Sequence, residues 1–343
     1  MSDGSVILRA LGPSVSVQDM GRPGRMAQGI SRGGAVDPLA LVEAAALLGS
    51  RKPLPALEMA VSGGRFEVTA PTRIALTGAP MQAELDGRPL RWGASHRMET
   101  GEVLSIGAAR TGMFGYLTFA GGIETPEVLG SRAAHLAAGI GSALESGARL
   151  PLGVDPEPDA PALVLTQDDR FSGGTLRIIP GPQTGLFDEA TYERLTTTEF
   201  TRARQGNRQG VALESDAPAL TSDKAKGLAS DVIFEGDIQM TGAGTPYVLL
   251  AECQTIGGYP RIGTVLPCDL PRVAQAAPGT KLRFKPVTLD EADALAPLWE
   301  AQLQAQRAKL RPLIRDPHDI HDLLGYQLIS GVTAGRELEE ENG

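Results

Sequence analysis

The chain has 343 residues and a formal net charge of −9 at pH 7, because 41 acidic side chains outnumber 32 Lys and Arg. A protein that binds nucleic acid or an anionic membrane presents a clustered positive field, so this balance argues against both partners. The sequence has no apolar run of roughly 18 residues that could span a membrane, and its first residues lack the features of a signal peptide, so we expect a cytoplasmic location.

Length and turn-residue content predict the fold class. A single core stops growing near about 250–300 residues, so we expect two lobes. The 42 glycines and 25 prolines favour many short strands joined by turns. We therefore predict a mainly β protein with few short helices: a β-rich N-terminal lobe over 1–155, a β-barrel C-terminal lobe over 162–312 and a tail over 313–343. Three prolines between residues 156 and 161 mark the boundary.

The first predicted elements are two short strands, a glycine-punctuated loop from residue 17 to residue 38, called the glycine loop, and a helix. The strands lie near residues 6–8 and 15–17. The helix is predicted over 38–48, because Asp37 suits the N-cap, Pro38 suits the first helical position and Gly49 can end the helix in the left-handed conformation.

Further strands follow at intervals typical of a sandwich or barrel. Asp86-Gly87 predicts a two-residue hairpin turn, since both residues tolerate positive φ. Thr288 and Glu291 form a capping-box pattern that starts a helical stripe to about residue 311, which Pro297 kinks or divides. The remaining strands are predicted near residues 65–68, 73–77, 82–85, 88–91, 103–106, 116–120, 175–179, 211–213, 236–240, 247–251 and 281–287.

Residues 252–263 directly follow the strand predicted at 247–251 and are interpreted as a binding loop. Gln254 supplies a donor and an acceptor that suit an amide, a lactam or a ureido ring, and Tyr259 offers a flat apolar face. Gly257 and Gly258 form a turn beside them. The alternative is a strand-end amide that bonds backbone and a tyrosine half buried under a turn.

Three arginines, Arg22, Arg208 and Arg261, lie in glycine-flanked segments. A guanidinium in such a place can bind a carboxylate or phosphate through two parallel hydrogen bonds. The alternative is ordinary surface ion pairing.

Several other polar residues are candidates for the same site. In the first loop, Asp19 and Asp37 could act as a general base or hydrogen-bond a ligand, and Gln18 is a candidate for substrate binding. Asp37 has a structural alternative as a helix cap. Glu58 follows an apolar strand end and could be a buried, paired carboxylate or a catalytic one.

Several functional classes are excluded by missing motifs. The sequence has no phosphate-binding P-loop, no G-x-S-x-G elbow and no H-E-x-x-H helix. His318 and His321 lack the supporting ligands of a zinc site, so we predict no metal. Cys253 and Cys268 are the only cysteines, which excludes a disulfide framework, and we interpret Cys253 as a packing residue.

The two loops and several further blocks resemble the family that contains the C subunit of 5-oxoprolinase, also described as allophanate hydrolase subunit 2 and as a biotin-dependent carboxyltransferase domain. The resemblance covers almost the whole chain and implies cyclophilin-like β-barrel lobes. The blocks that carry it, besides the loops, are Ala56-Leu57-Glu58, Leu76-Thr77-Gly78-Ala79, Phe119-Ala120-Gly121-Gly122-Ile123, Leu129-Gly130-Ser131-Arg132, Asn207-Arg208 with Gly210, Gly236-Asp237-Ile238-Gln239 and Cys268-Asp269-Leu270.

The resemblance implies a subunit of an ATP-dependent 5-oxoprolinase that works with a second cyclophilin-like subunit and a larger hydrolase subunit. ATP would bind this chain or a partner. Under this reading Asp19, Arg208, Gln254 and Arg261 are catalytic, and Gln18, Arg22, Asp37, Glu58, Gly257, Gly258 and Tyr259 bind substrate.

Two alternatives stay open. The first is a carboxyltransferase component like that of urea amidolyase, with biotin carried on another chain. The second is a regulator that binds a kinase-inhibitor-type partner.

Overall fold

The computed structural model describes residues 4–225, 227–297 and 299–314. The predicted tail and its two histidines therefore lie, from residue 315 onward, outside the described residues. The helices are α1 (Pro38–Leu47), α2 (Glu189–Thr197), α3 (Leu270–Gln275), α4 (Leu289–Ala294) and α5 (Trp299–Arg307). The strands are β1 (Ser5–Leu11), β2 (Val15–Gln18), β3 (Ala56–Ala60), β4 (Ser62–Val68), β5 (Thr72–Gly78), β6 (Met81–Leu85), β7 (Arg88–Pro89), β8 (Ala94–Met98), β9 (Val103–Ala109), β10 (Phe114–Phe119), β11 (Arg149–Pro151), β12 (Leu163–Val164), β13 (Gly174–Ile179), β14 (Glu199–Asn207), β15 (Gly210–Glu214), β16 (Asp231–Val232), β17 (Asp237–Met240), β18 (Pro246–Leu249), β19 (Ile256–Gly257), β20 (Arg261–Val265), β21 (Lys281–Pro286) and β22 (Arg311–Pro312).

Two antiparallel sheets build the first lobe. One has six strands in the order β11-β1-β4-β9-β6-β7, and the other has seven in the order β2-β3-β10-β5-β8-β12-β22. Alternate residues of each strand face the core between the sheets, among them Phe66, Leu57 and Leu117. Two of these strands, β12 and β22, follow the predicted lobe boundary at 155–162 in the sequence. The position of that boundary stays a prediction.

The second lobe is a closed barrel with the strand order β13-β20-β17-β18-β15-β14-β21. It closes through β13 and β21, which run parallel, whereas the other neighbours are antiparallel. Leu176, Ile238, Val248 and Phe284 belong to its core, and this core continues into the first lobe at Tyr116. The prediction of a mainly β chain with few short helices is confirmed.

Helix α1 is buried between the seven-stranded sheet and α5. Ala44 packs with Ala75 of the sheet, and Ala45 packs with Leu303 of α5. Small side chains permit this double contact because they let backbones approach closely. The helix begins as predicted: Asp37 Oδ1 accepts a hydrogen bond from Ala40 N at 3.3 Å.

Other local predictions are also confirmed. Asp86 and Gly87 have φ of 46° and 81° and connect β6 to β7. Thr288 and Glu291 form the capping box of α4. The helical stripe is divided, with Pro297 between the end of α4 and the start of α5. Over the described residues, no helix has the length and apolar composition needed to cross a membrane.

Candidate functional site

The seam between the lobes contains a buried acid from the seven-stranded sheet. Glu58 on β3 and Tyr116 on β10 are direct neighbours in the ladder, and strand alternation turns both toward the barrel. Tyr116 Oη donates to Glu58 Oε2 at 2.6 Å, and Val36 N donates to the same oxygen at 3.1 Å. Burial, together with the charges of Glu58 and Asp37, raises the pKa of Tyr116 well above its ordinary value. The Tyr116 hydroxyl therefore remains protonated and serves Glu58 as a donor.

The barrel contributes Arg208 from the turn between β14 and β15. Its Nε donates to Glu252 Oε1 at 2.8 Å, its Nη2 donates to the carbonyl oxygen of Gly34 at 2.7 Å, and its Nη1 donates to Glu58 Oε1. Burial alone would lower the pKa of Arg208, but Glu58 and Glu252 more than offset this effect and raise it. Arg208 is thus a charged connection between the lobes, with one carboxylate from each as its counter-ions.

The glycine loop of the first lobe also contacts the barrel. Arg32 donates two hydrogen bonds to Glu235, both at 2.8 Å. Gly33 has φ of +61°, and a Cβ at this position would lie 3.2 Å from Arg22 Nη1 and 3.2 Å from His135 Cδ2. Glycine therefore lets the loop pack directly against these two side chains.

Three buried side chains at the seam each have one polar atom without a partner. Gln18 Nε2 donates to Ala134 O at 3.2 Å, and Arg22 Nη2 donates to Ala133 O at 2.5 Å. Within the part of the chain that the structure describes, however, Gln18 Oε1, Arg22 Nη1 and His135 Nδ1 have no hydrogen-bond partner. Each unpaired buried group costs about 1–3 kcal/mol. The three side chains lie around residues 133–135, and of them Gln18 lines a cavity; such buried unpaired groups call for a partner such as ordered water or an ion.

His135 is held by the loop and is surrounded by charged groups. Its Nε2 lies 2.8 Å from Ser31 Oγ. Burial lowers the pKa of His135; Glu252 acts in the opposite direction, and Arg22 and Arg208 lower it further. The imidazole is therefore neutral at pH 7.

Two cavities adjoin the Arg208–Glu252 ion pair. The large seam cavity is about 420 Å³, and the small seam cavity is about 150 Å³. Both are lined by Ser14, Arg208 and Glu252. The small cavity also contacts Gln18, whereas the large one extends over β14. The seam thus combines buried charges, unpaired polar atoms and open volume.

Asp37 lies behind the seam in the core. Its Oδ2 accepts hydrogen bonds from Arg170 Nε at 2.6 Å and from Gln275 Nε2 at 2.7 Å, while Oδ1 caps α1. Arg170 in turn pairs with Glu43. This carboxylate has the structural role that the sequence left open, as a helix cap and an ion-pair partner.

Asp19 and Arg261 lie away from the seam cavities. Asp19 accepts from Ser131 Oγ at 2.6 Å and from Arg132 N at 2.7 Å, and it lines a separate depression of about 410 Å³. Arg261 is 4% exposed, and its guanidinium bonds Asp237 of β17, Asp231 and Val232 O of β16, and Gln183. Both side chains already bond several protein groups.

The binding loop forms its own cavity on the barrel. Gln254, Gly257, Gly258 and Tyr259 line this barrel-loop cavity, which has a volume of about 350 Å³. Tyr259 is 54% exposed, in contrast with the buried seam residues. Cys253 also borders it, and burial raises the pKa of its thiol to about 12, so the thiol is protonated at neutral pH. In the described residues, no group of three or more His, Cys, Asp or Glu is arranged to hold a metal.

The structure therefore brings together four of the residues singled out from the sequence, Gln18, Arg22, Glu58 and Arg208. Sequence reasoning did not assign Tyr116, His135 or Glu252 to a site. Glu252 begins the binding loop, and His135 lies three residues beyond the block that ends at Arg132. A titratable residue immediately after such a block is a signal that could have drawn attention to His135.

Comparison with known proteins identifies relatives over most of the chain. The family described as carboxyltransferase domain, subdomain A and B, matches residues 28–286. The chain is 35% identical to the C subunit of 5-oxoprolinase from Escherichia coli over 83% of its own length and 92% of that protein. It is 26% identical to urea amidolyase of Lachancea kluyveri over 89% of its length, but spans only 18% of that protein.

A solved structure has the same fold. TTHA0988 superposes with a TM-score of 0.74 at 30% identity, covering 82% of this chain. The chain spans 56% of TTHA0988, so about half of that protein has a counterpart here.

Proposed function

This chain belongs to the carboxyltransferase-domain family, and we propose that it is one subunit of an ATP-dependent amidohydrolase complex of the 5-oxoprolinase type. Such a complex converts 5-oxoproline, ATP and water to glutamate, ADP and phosphate. The observation that carries the proposal is the match to the Escherichia coli protein over 92% of its length. A match of this extent includes both lobes and the seam between them.

The unpaired atoms at the seam complement a cyclic amide. A lactam has its N–H donor and its carbonyl acceptor on the same edge. Gln18 Oε1 is an unpaired acceptor, and Arg22 Nη1 is an unpaired donor. A site with such buried groups strongly rejects a ligand that cannot pair with them. We therefore assign substrate binding to Gln18 and Arg22.

The remaining seam residues supply proton transfer and positioning. His135 is neutral at pH 7 and its Nδ1 has no partner among the described residues, so in the tautomer protonated on Nε2 it can accept the proton that the attacking water loses and return it to the ring nitrogen as the C–N bond breaks. Glu58, Arg208 and Glu252 hold the lobes in register around it. Catalytic roles for Asp19, Arg208, Gln254 and Arg261, and substrate contacts of Asp37, Glu58, Gly257, Gly258 and Tyr259, stay predictions.

ATP is assigned to a partner subunit. Phosphorylation of the lactam carbonyl oxygen would create a leaving group, and it needs cationic groups around the phosphates. Arg208 and Arg261 are already engaged by protein carboxylates. A second cyclophilin-like subunit and a larger hydrolase subunit would complete the enzyme complex in the cytoplasm.

A carboxyltransferase that receives biotin on another chain is the second candidate. The family description and the similarity to urea amidolyase favour it. The ureido ring of biotin presents the same N–H and carbonyl edge as a lactam, so the seam residues would serve either ligand.

The test is to purify the chain together with its natural partners and measure glutamate and phosphate formation from 5-oxoproline and ATP. We expect turnover that depends on this chain. Equal turnover without the chain would contradict the proposal. A biotinylated partner, with carboxylation that avidin inhibits, would establish the carboxyltransferase instead.

A further inference from the structure

Arg202 on β14 is a buried arginine that ends at the large seam cavity. Only 4% of the residue is exposed. The ladder between β14 and β15 is irregular from Arg202 to Gly206. Arg202 Nη1 donates to Ala203 O at 2.5 Å and to Arg204 O at 3.2 Å. The backbone irregularity thus fixes the guanidinium in one orientation at the cavity wall.

This guanidinium has no counter-ion among the described residues. Its Nε is buried without a partner, and within the same part of the chain Nη2 makes no hydrogen bond. Burial lowers the pKa of Arg202, opposed by Tyr247 and by no carboxylate. In contrast, Arg208 and Arg170 each pair with two carboxylates. A buried cation without a partner is costly, which points to a ligand that supplies the missing negative charge.

The walls of the large seam cavity suit a small anion with an apolar part. Ala60, Met113 and Phe114 line it together with the amide of Asn207. Glu252 also lines the cavity and would repel a doubly charged phosphate. Arg202 offers the cavity Nη2 alone, because Nε is enclosed and Nη1 bonds backbone; a single donor suits one carboxylate better than a phosphate, which requires more donors.

We propose that the large seam cavity is an anion subsite in which Arg202 binds the carboxylate of a small ligand, whose apolar part packs against Ala60 and Met113. The subsite is inferred from the geometry of Arg202 and does not depend on which reaction the complex catalyses. Naming 5-oxoproline as the carboxylate that occupies it rests on the proposed function.

The direct test is calorimetric titration of the full chain with 5-oxoproline, with 2-pyrrolidinone, which lacks the carboxylate, and with inorganic phosphate. Arg202→Met should weaken 5-oxoproline binding about 10- to 100-fold and leave the affinity for 2-pyrrolidinone unchanged. Arg204→Met is the matched control, because Arg204 lies two residues along the same strand with an exposed side chain. Equal weakening in both variants would overturn the subsite, and so would tighter, Arg202-dependent binding of phosphate.

Gly206→Ala tests the same geometry without removing the charge. A Cβ at this position would lie 2.7 Å from Arg202 Nη2, so the guanidinium must move. We expect weakened binding of 5-oxoproline, as in Arg202→Met. Unchanged binding in Gly206→Ala would overturn the assigned contact.

Thermal unfolding separates a ligand-binding role from a structural one. Because Arg202→Met removes an uncompensated buried charge, its unfolding midpoint without ligand should equal or exceed that of the wild type. The rise in midpoint that acetate, propionate or 5-oxoproline produces over chloride should disappear. A midpoint several degrees lower, with the carboxylate response retained, would show that Arg202 only supports the strand.

The subsite and the proposed function can fail separately. The assembled complex could fail to turn over 5-oxoproline while acetate or propionate still raises the unfolding midpoint in an Arg202-dependent way. That result would contradict the proposed function and support the subsite. If no monocarboxylate shifts the wild-type midpoint or binds, the subsite is overturned whatever the complex does.

Discussion

The seam and the barrel-loop cavity present polar groups in opposite ways. At the seam, Glu58, Arg208 and Glu252 are buried and interlocked across two lobes. At the barrel-loop cavity, Gln254 and Tyr259 are exposed, uncharged and on one lobe. Buried groups must be paired or they lower stability, whereas exposed groups are satisfied by water. Substitutions should therefore lower the free energy of unfolding strongly at the seam and very little at the barrel loop.

The largest effect is expected for Arg208→Met. It leaves Glu58 and Glu252 buried without their counter-ion, which should lower the free energy of unfolding by about 3–5 kcal/mol in urea titrations. Arg283→Met is the control, because it breaks an exposed pair with Glu199 and should cost under about 1 kcal/mol. Similar small losses in both variants would mean that the seam charges are not interlocked.

A smaller effect is expected for Tyr116→Phe. The hydroxyl donates to Glu58 and accepts from Asp37 N at 3.0 Å. Its removal leaves both groups short of a partner, for a loss of about 1–3 kcal/mol in the free energy of unfolding. The same change at exposed Tyr259 should stay within about 0.5 kcal/mol. A larger loss at Tyr259 than at Tyr116 would reverse the contrast between the regions.

The smallest effect is a pH dependence carried by His135. Its folded-state pKa is lowered by burial from the usual 6.5, so the unfolded chain takes up the proton first. Its contribution to stability is present above about pH 6.5 and is lost as the pH falls toward the lowered pKa, by at most about 1.4 kcal/mol per pH unit. In His135→Gln this part of the acid-induced loss should be absent. If the free energy of unfolding of His135→Gln depended on pH between 7.5 and 5.5 as steeply as that of the wild type, the lowered pKa of His135 would be contradicted.

His96 provides the comparison for that experiment. Burial also lowers its pKa, with Arg91 O opposing and Arg88 adding to the effect. His96→Gln should therefore remove a similar part of the slope without altering the seam. The two histidines together should account for more of the slope than either does alone.

Local structure could be predicted from the sequence because its signals lie within a few residues of one another. Asp37 and Pro38 start α1, Asp86 and Gly87 turn the hairpin, and Thr288 caps α4. Each depends on backbone groups close by in the chain. The mainly β architecture could be predicted in the same way, from the many glycine and proline residues that mark turns between short strands.

The site could be predicted only in part because charge partners are distant in sequence. Arg208 and Arg261 have similar glycine-flanked contexts, yet Arg208 connects the two lobes and Arg261 pairs with Asp231 and Asp237 of the second lobe. Their carboxylates follow from tertiary packing: Glu58 lies 150 positions from Arg208. His135 was missed for the same reason, since only the folded loop places it against Arg22.

The cyclic amide is expected to bind at the seam and not at the barrel-loop cavity. Matched glutamine substitutions test this expectation in the purified complex: Gln18→Met at the seam and Gln254→Met at the barrel loop, each with its unfolding midpoint measured. Turnover of 5-oxoproline, as kcat/KM, should fall about 100-fold in Gln18→Met and stay within about threefold of the wild type in Gln254→Met. The opposite order, in variants with midpoints like that of the wild type, would contradict the account.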